Sequence, residues 1–227
     1  MRRNGYGQFC PVARGAEVFA ERWTPLVIRE LLLGDYRFND LRRGVPLMSP
    51  SSRRLRDLER AGVVERVSAP SGRPVYRLTP AGRDLGPVVE RLGEWATRGT
   101  GSPAGPRDVD PALLMWDIRR RLGSRRPEFP AGRTAIAFEL RDAPRGRRYW
   151  WLVLEPDPEP PDLCLRDPGY PVDARVSTDL VTMARVWLGE IRAAAAIHTG
   201  RMELDAPPAL RRTLGRWLTA HPAGENR

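Results

Sequence analysis

A stretch broken by glycine and proline, Gly99-Thr-Gly-Ser-Pro-Ala-Gly-Pro-Arg107, lies near the middle of the 227-residue chain. No regular element runs through such a segment, because proline removes a backbone donor and glycine loses the most freedom on ordering. The chain is therefore expected to fold as two small units, residues 1–98 and 108–227, joined by a linker at 99–107. The linker glycines loosely fit a dinucleotide-binding fingerprint. No strand precedes them and prolines follow, so that match is spurious.

The linker also divides the charge unevenly. Residues 1–100 carry 18 arginines against 11 acidic residues, and residues 101–227 carry 20 against 17. The first unit thus holds +7 of the net +10. Such an excess suits a nucleic-acid or other anionic partner. The chain contains no lysine, so all 38 basic residues are arginine. A genome that writes arginine wherever positive charge is tolerated gives the same usage. The missing lysine excludes Schiff-base chemistry and a phosphate-loop lysine. Two cysteines make neither a disulfide framework nor a cysteine-based zinc site, which points to the reducing cytoplasm. Met1 to Phe9 lacks the apolar core of a signal peptide, and no run approaches the roughly 20 apolar residues of a membrane span.

The first unit reads as helix, helix, helix-turn-helix, hairpin, helix. Pro11 opens a short helix to about Ala20, and Thr24-Pro25 opens a second that Gly34 closes. Phe38 to Arg43 is a third. After the turn Gly44-Val-Pro-Leu-Met48, Ser49-Pro50 gives an N-cap and a first-turn proline for a fourth helix that runs to Ala61 and stops at Gly62. Val63–Val67 and Val75–Leu78 are strands joined by Ala69-Pro-Ser-Gly-Arg-Pro74. Thr79-Pro80 caps a fifth helix that carries Leu85, Val88, Val89, Leu92 and Trp95. This order is a winged helix-turn-helix, a DNA-docking unit.

At helical period, Arg53, Arg56 and Arg60 share one face of the fourth helix, and Leu55 and Leu58 share the opposite face. Arginine pairs bidentately with guanine and with phosphate, so one reading places this stripe in a DNA groove. The other is a solvated face balanced by Asp57 and Glu59. Between a helix-turn-helix and a wing, the DNA reading is favoured. Arg73 at the wing tip suits a phosphate or minor-groove contact.

Cys10-Pro-Val, Glu21-Arg-Trp-Thr24, Ile28-Arg-Glu-Leu31, Arg37-Phe-Asn-Asp-Leu41, Leu55-Arg-Asp-Leu-Glu59, Gly62-Val-Val-Glu-Arg66 and Tyr76-Arg-Leu-Thr-Pro80 occur in this order. Over about residues 10–98 the chain resembles the HxlR family of winged-helix transcriptional regulators. The resemblance implies a homodimer through the first and last helices of the unit, with the Ser49 helix in the major groove. The implied DNA-contacting set is Ser49, Ser51, Ser52, Arg53, Arg54, Arg56 and Arg60, with Arg73 on the wing. The chain departs from the family pattern at one place. Two leucines usually separate the Ser-Pro-Ser element from Arg-Arg-Leu, whereas here Ser52 runs straight into Arg53. Two missing residues rotate the start of the helix by about 200° against the rest. In some family members a cysteine at the Cys10 position senses oxidants or electrophiles. A helix N-terminus with arginines nearby lowers a thiol pKa, but an ordinary half-buried cysteine is the favoured reading of Cys10.

The second unit reads as a small α+β domain. Asp110-Pro111 caps a helix, Thr134–Leu140 alternates as a half-buried strand, and Tyr149–Leu154 is a strand apolar on both faces. Leu163–Leu165, Val172–Val176 and Met202–Leu204 are further strands. Leu180, Met183 and Trp187 share a helix face, Ala193–Ala196 begins a close-packed helix, and Leu210, Leu214, Trp217 and Leu218 mark a last one. With Thr178-Asp-Leu180, Trp187-Leu-Gly189, Thr199-Gly200 and Met202-Glu-Leu-Asp205, this order resembles the sterol-carrier-protein-like fold over about 110–220. That resemblance implies an antiparallel sheet covered by helices around an apolar cavity that senses a hydrophobic small molecule. Phe138, Trp150, Trp151, Met183 and Trp187 are the candidate lining residues, and for each a place in the plain core is the competing reading.

No catalytic constellation is evident. His198 and His221 are the only histidines, no metal spacing or nucleophile elbow occurs, and Cys164 sits between leucines. The expectation is an α+β, non-enzymatic protein without cofactor, whose partners are double-stranded DNA, a second copy of itself and a hydrophobic effector. The alternative is an apolar-ligand binding protein whose winged helix serves mainly for dimerisation.

Overall fold

The computed structural model describes residues 5–45, 53–69, 72–99, 105–124, 132–155 and 161–218. The chain divides into two compact units, Met1–Gly99 and Thr100–Arg227, each with its own apolar core.

The first unit contains helices α1 (Pro11–Phe19), α2 (Thr24–Leu31), α3 (Phe38–Gly44) and α4 (Arg53–Arg60), strands β1 (Val64–Ser68) and β2 (Pro74–Leu78), and helices α5 (Pro80–Arg83) and α6 (Gly86–Gly99). Prolines stand in the first turns of α1, α2 and α5, where the missing donor costs nothing. The turn into α2 places half-buried Trp23 at φ 75°, with the Arg22 guanidinium 4.6 Å from its ring centroid. Val27, Ile28, Leu31, Leu41, Leu55, Leu58, Val64 and Leu78 form the core. Gly62, at φ 70°, turns the chain from α4 into the wing, a backbone position that a side chain resists. The wing is an antiparallel pair in register from Val64↔Leu78 to Ser68↔Pro74. Tyr36 and Tyr76 exchange backbone hydrogen bonds of 3.1 and 2.8 Å, which adds a third short edge to it.

The expected single fifth helix is two. Thr79 caps α5 by accepting from the Gly82 amide at 3.1 Å, and its hydroxyl donates to the Gly62 carbonyl at 2.6 Å. The helix then breaks at Asp84-Leu85, where Gly82, Asp84 and Gly86 cluster weak helix formers. Gly82 packs so close to the chain entering β1 that a Cβ there would collide with the Val63 carbonyl oxygen.

The second unit contains a 3-10 turn (Pro106–Asp108), α7 (Pro111–Ser124), β3 (Thr134–Leu140), a 3-10 turn (Arg145–Arg147), β4 (Tyr149–Leu154), β5 (Asp162–Cys164), β6 (Ala174–Thr178), α8 (Leu180–Trp187), α9 (Ala193–His198), β7 (Met202–Asp205) and α10 (Pro208–Trp217). Five strands form one sheet in the order β5-β4-β3-β6-β7. The expectation of a purely antiparallel sheet is corrected: β3 and β6 run parallel, Ile136↔Ala174 to Leu140↔Thr178. After β5 the chain returns to the Thr134 end of the sheet before β6 begins, so β6 runs alongside β3 in the same direction. Asp173 fixes that return. Its amide donates to the Ala135 carbonyl at 2.9 Å, and its carboxylate accepts from the Ala135 amide at 2.8 Å.

Alternation along the strands divides the sheet into two faces. Ile136, Phe138, Leu140, Trp150, Leu152, Val176, Met202 and Leu204 join the core with α7–α10. The opposite face presents Glu139, Tyr149, Trp151, Arg175 and Ser177 around a depression of about 340 Å³.

Candidate nucleic-acid interface

The fourth helix is anchored by its apolar face. Leu55 and Leu58 are buried, and the turn that follows is held by the Val63 amide donating to the Leu58 carbonyl at 3.0 Å. The opposite face is the arginine stripe anticipated from the period. Arg53, Arg56 and Arg60 are all exposed. Arg60 reaches Asp57 at 3.2 Å, an exposed pair worth at most about 1 kcal/mol. Arg53 forms no ion pair among the described residues. A row of guanidiniums along one face of a helix whose other face is packed suits a polyanion.

Arg54 is set differently. It turns toward the body, its side chain 20% exposed, and donates to Glu21 at 2.8 Å. It ties α4 to the turn before α2, a role that the sequence motif Glu21-Arg-Trp-Thr24 did not reveal. Ser49, Ser51 and Ser52, with the expected start of the helix, lie outside the described residues.

The wing adds charge beside the stripe. Arg73 is exposed next to its tip, and Arg66 on β1 is exposed as well. Arg66 was missed in the sequence, although its outward position follows from strand alternation. Arg77 is instead engaged across the wing with Glu65 at 2.7 Å.

A second feature of this unit is an apolar surface. On α6, Val88, Leu92 and Trp95 are 45%, 42% and 59% exposed, and ahead of and within α1 Phe9 and Val12 are 96% and 78% exposed. Spacing of four and three residues places Val88, Leu92 and Trp95 on one side of α6. Cys10 is half-buried at the N-terminal boundary of α1, and both cysteines are free thiols.

In the second unit the five aromatic and methionine candidates do not converge. Phe138, Trp150, Met183 and Trp187 are buried in the core, and Trp187 packs edge-on against Trp217 at 5.8 Å. Trp151 faces the other side of the sheet, 6.5 Å from Tyr149. Adjacent strand residues point to opposite faces, so Trp150 and Trp151 do not line one cavity. Sequence reasoning also missed a buried charge cluster here. Asp117 accepts from the Trp187 indole at 2.6 Å and pairs with Arg121 at 3.1 Å and with Arg120. Burial pushes the Asp117 carboxyl up, but Arg120 and Arg121 overcome it and hold the pKa below the ordinary value. Cys164 is shifted the other way, its thiol pushed up by burial and by Asp162. Among the described residues no group of acidic, histidine and cysteine side chains is placed to hold a metal, and no helix is long and apolar enough to cross a membrane.

The sequence profile of the HxlR-like helix-turn-helix family matches residues 18–102. YvaP, an HTH-type transcriptional regulator of Bacillus subtilis, is 34% identical over 95 residues, covering 40% of this chain and 88% of that protein. This chain belongs to the HxlR-like helix-turn-helix family. An HTH-type transcriptional regulator of Mycobacterium tuberculosis is 41% identical over 98 residues, which are 42% of this chain. The chain spans 62% of the length of that mycobacterial relative. The reduced form of the transcriptional regulator YodB from B. subtilis is 30% identical in its solved structure, covering 40% of this chain and 95% of that one with a TM-score of 0.36. All three similarities concern no more than 42% of this chain.

Proposed function

We propose that this HxlR-like chain is a homodimeric, DNA-binding transcriptional regulator of the cytoplasm whose second unit carries the response to a small molecule. The observation that carries the reading is the exposed face of Arg53, Arg56 and Arg60, fixed by buried Leu55 and Leu58 directly before an arginine-bearing wing. In this reading α4 enters the major groove, and Arg66 and Arg73 hold the flanking backbone. The exposed Val88, Leu92 and Trp95 face of α6, with Phe9 and Val12, supports the dimer, since an apolar patch of this kind marks an interaction site. Two copies then read two half-sites.

Fluorescence anisotropy with duplex DNA from the chain's own upstream region tests this. The logarithm of the affinity is expected to fall linearly with the logarithm of salt, with a slope of about −0.9 for each phosphate neutralised. Arg53→Ala with Arg56→Ala removes two guanidiniums per protomer and is expected to flatten that slope by about 2–4. Binding no tighter than to random duplex, at about 50 mM salt, would sink the proposal.

A further inference from the structure

Along one side of the second unit, α9 and α10 enclose an open groove of about 1230 Å³. Its walls carry Arg192, Arg211, Arg212, Arg216 and His198, and no acidic residue lines it among the described residues. Several arginines of this unit are paired: Arg121 with Asp117, Arg133 with Glu155, and Arg147 with Asp110, at 2.7–3.1 Å. Arg192, Arg211 and Arg212 are exposed, form no ion pair among the described residues, and line the same groove. Guanidiniums brought together without a counter-charge repel one another, and an anion placed between them removes that cost.

The floor decides what kind of anion. It is built from the exposed methyl groups of Ala194 and Ala209 beside the half-buried Ile197. Such a floor is broad, shallow and apolar. It suits a flat ring system better than a hydrated inorganic ion, which gains nothing from apolar contact. The groove also exceeds the roughly 300–1,000 Å³ usual for a small-molecule pocket, which leaves room for more than one ring.

We infer that the α9–α10 groove binds an aromatic organic acid: a flat apolar body on the alanine floor, with its carboxylate, phosphate or sulfonate held by Arg211, Arg212 and Arg192. The site is distinct from the aromatic core residues and belongs to the second unit alone. Only its regulatory consequence rests on the reading of the chain as a DNA-binding regulator, so binding to the groove is measurable whether or not the protein binds DNA.

The probe is anilinonaphthalenesulfonate, compared with N-phenylnaphthylamine, which has the same aromatic body without the sulfonate. Titration of the full chain is expected to show saturable fluorescence enhancement with the sulfonate and at least tenfold weaker binding of the neutral analogue. Arg211→Gln with Arg212→Gln is expected to weaken the sulfonate about tenfold or more and to leave the neutral probe unchanged. Ala194→Trp, which fills the floor and keeps every charge, is expected to block both probes. Circular dichroism of each variant establishes that it is folded. Equal binding of the two probes, sulfonate binding indifferent to all three substitutions, or no saturable binding at all would overturn the assignment.

Discussion

Asp117→Asn isolates the buried charge cluster of the second unit. The carboxylate receives the Trp187 indole at 2.6 Å, Arg121 at 3.1 Å and Arg120, whose side chain is 2% exposed. Asparagine keeps one acceptor oxygen, which serves either Trp187 and Arg121 or Arg120, but not all three. Its amide group presents N–H toward groups that are themselves donors. Removing one partner of a buried ion pair costs about 3–5 kcal/mol, and the 21% exposure of Asp117 places this case near 3. For a unit of this size, about 3 kcal/mol lowers the melting temperature by roughly 10 °C. Tryptophan fluorescence reads it, because Trp116, Trp150, Trp151, Trp187 and Trp217 lie in the second unit and only Trp23 and Trp95 in the first. The fluorescence transition is expected to move down and any separate transition of the first unit to stay. Trp187→Phe completes a double-mutant cycle, in which a coupling of about 1 kcal/mol or more is expected for a hydrogen bond to a charged acceptor. A shift below about 3 °C, or additive single effects, would show that the cluster is solvated and refute the reasoning.

Further outcomes follow from the same contacts. Trp95→Glu places a charge in the exposed α6 face, and the protein is expected to sediment as a monomer with its fold intact, whereas an unchanged dimer would exclude that face. Gly82→Ala drives a methyl group into the Val63 carbonyl and is expected to cost more than about 2 kcal/mol in chemical denaturation. The Asp117 and Asp179 carboxyls are both lower than ordinary. At Asp179 burial opposes the shift, and hydrogen bonds from Thr182 outweigh it. The unfolded chain therefore takes up these protons first as pH falls. Their contribution is present above about pH 4 and is lost progressively below it, which a pH series of urea midpoints checks.

Much of the first unit was legible because its signals are local. Proline in the first turn, threonine at a cap, a positive-φ glycine and an apolar period all act within a few residues. The arginine stripe was readable for the same reason: one helix face is fixed by period alone. The break between α5 and α6 is masked because the apolar period of Leu85, Val88, Val89 and Leu92 runs across the weak helix formers Gly82, Asp84 and Gly86. Strand direction was hidden as well. A turn signal marks where a strand ends, not which neighbour the next one joins, and β6 beside β3 is a long-range choice. Grouping Trp150 with Trp151 in one cavity ignored a period of two that was in plain view. The groove arginines escaped notice because Arg211-Arg212 on an amphipathic helix reads as a solvated face until α9 is placed against it.

The edges of the five-stranded sheet bear on the assembly proposed above. One edge, β5, is three residues long, begins with Asp162 and follows buried Pro161; the other, β7, is four residues long, carries Glu203 and Asp205 and leads into Pro207-Pro208. Short, acidic, proline-flanked borders discourage strand-to-strand growth. In the proposed dimer, association is thereby left to side-chain surfaces instead of strand pairing along a ribbon.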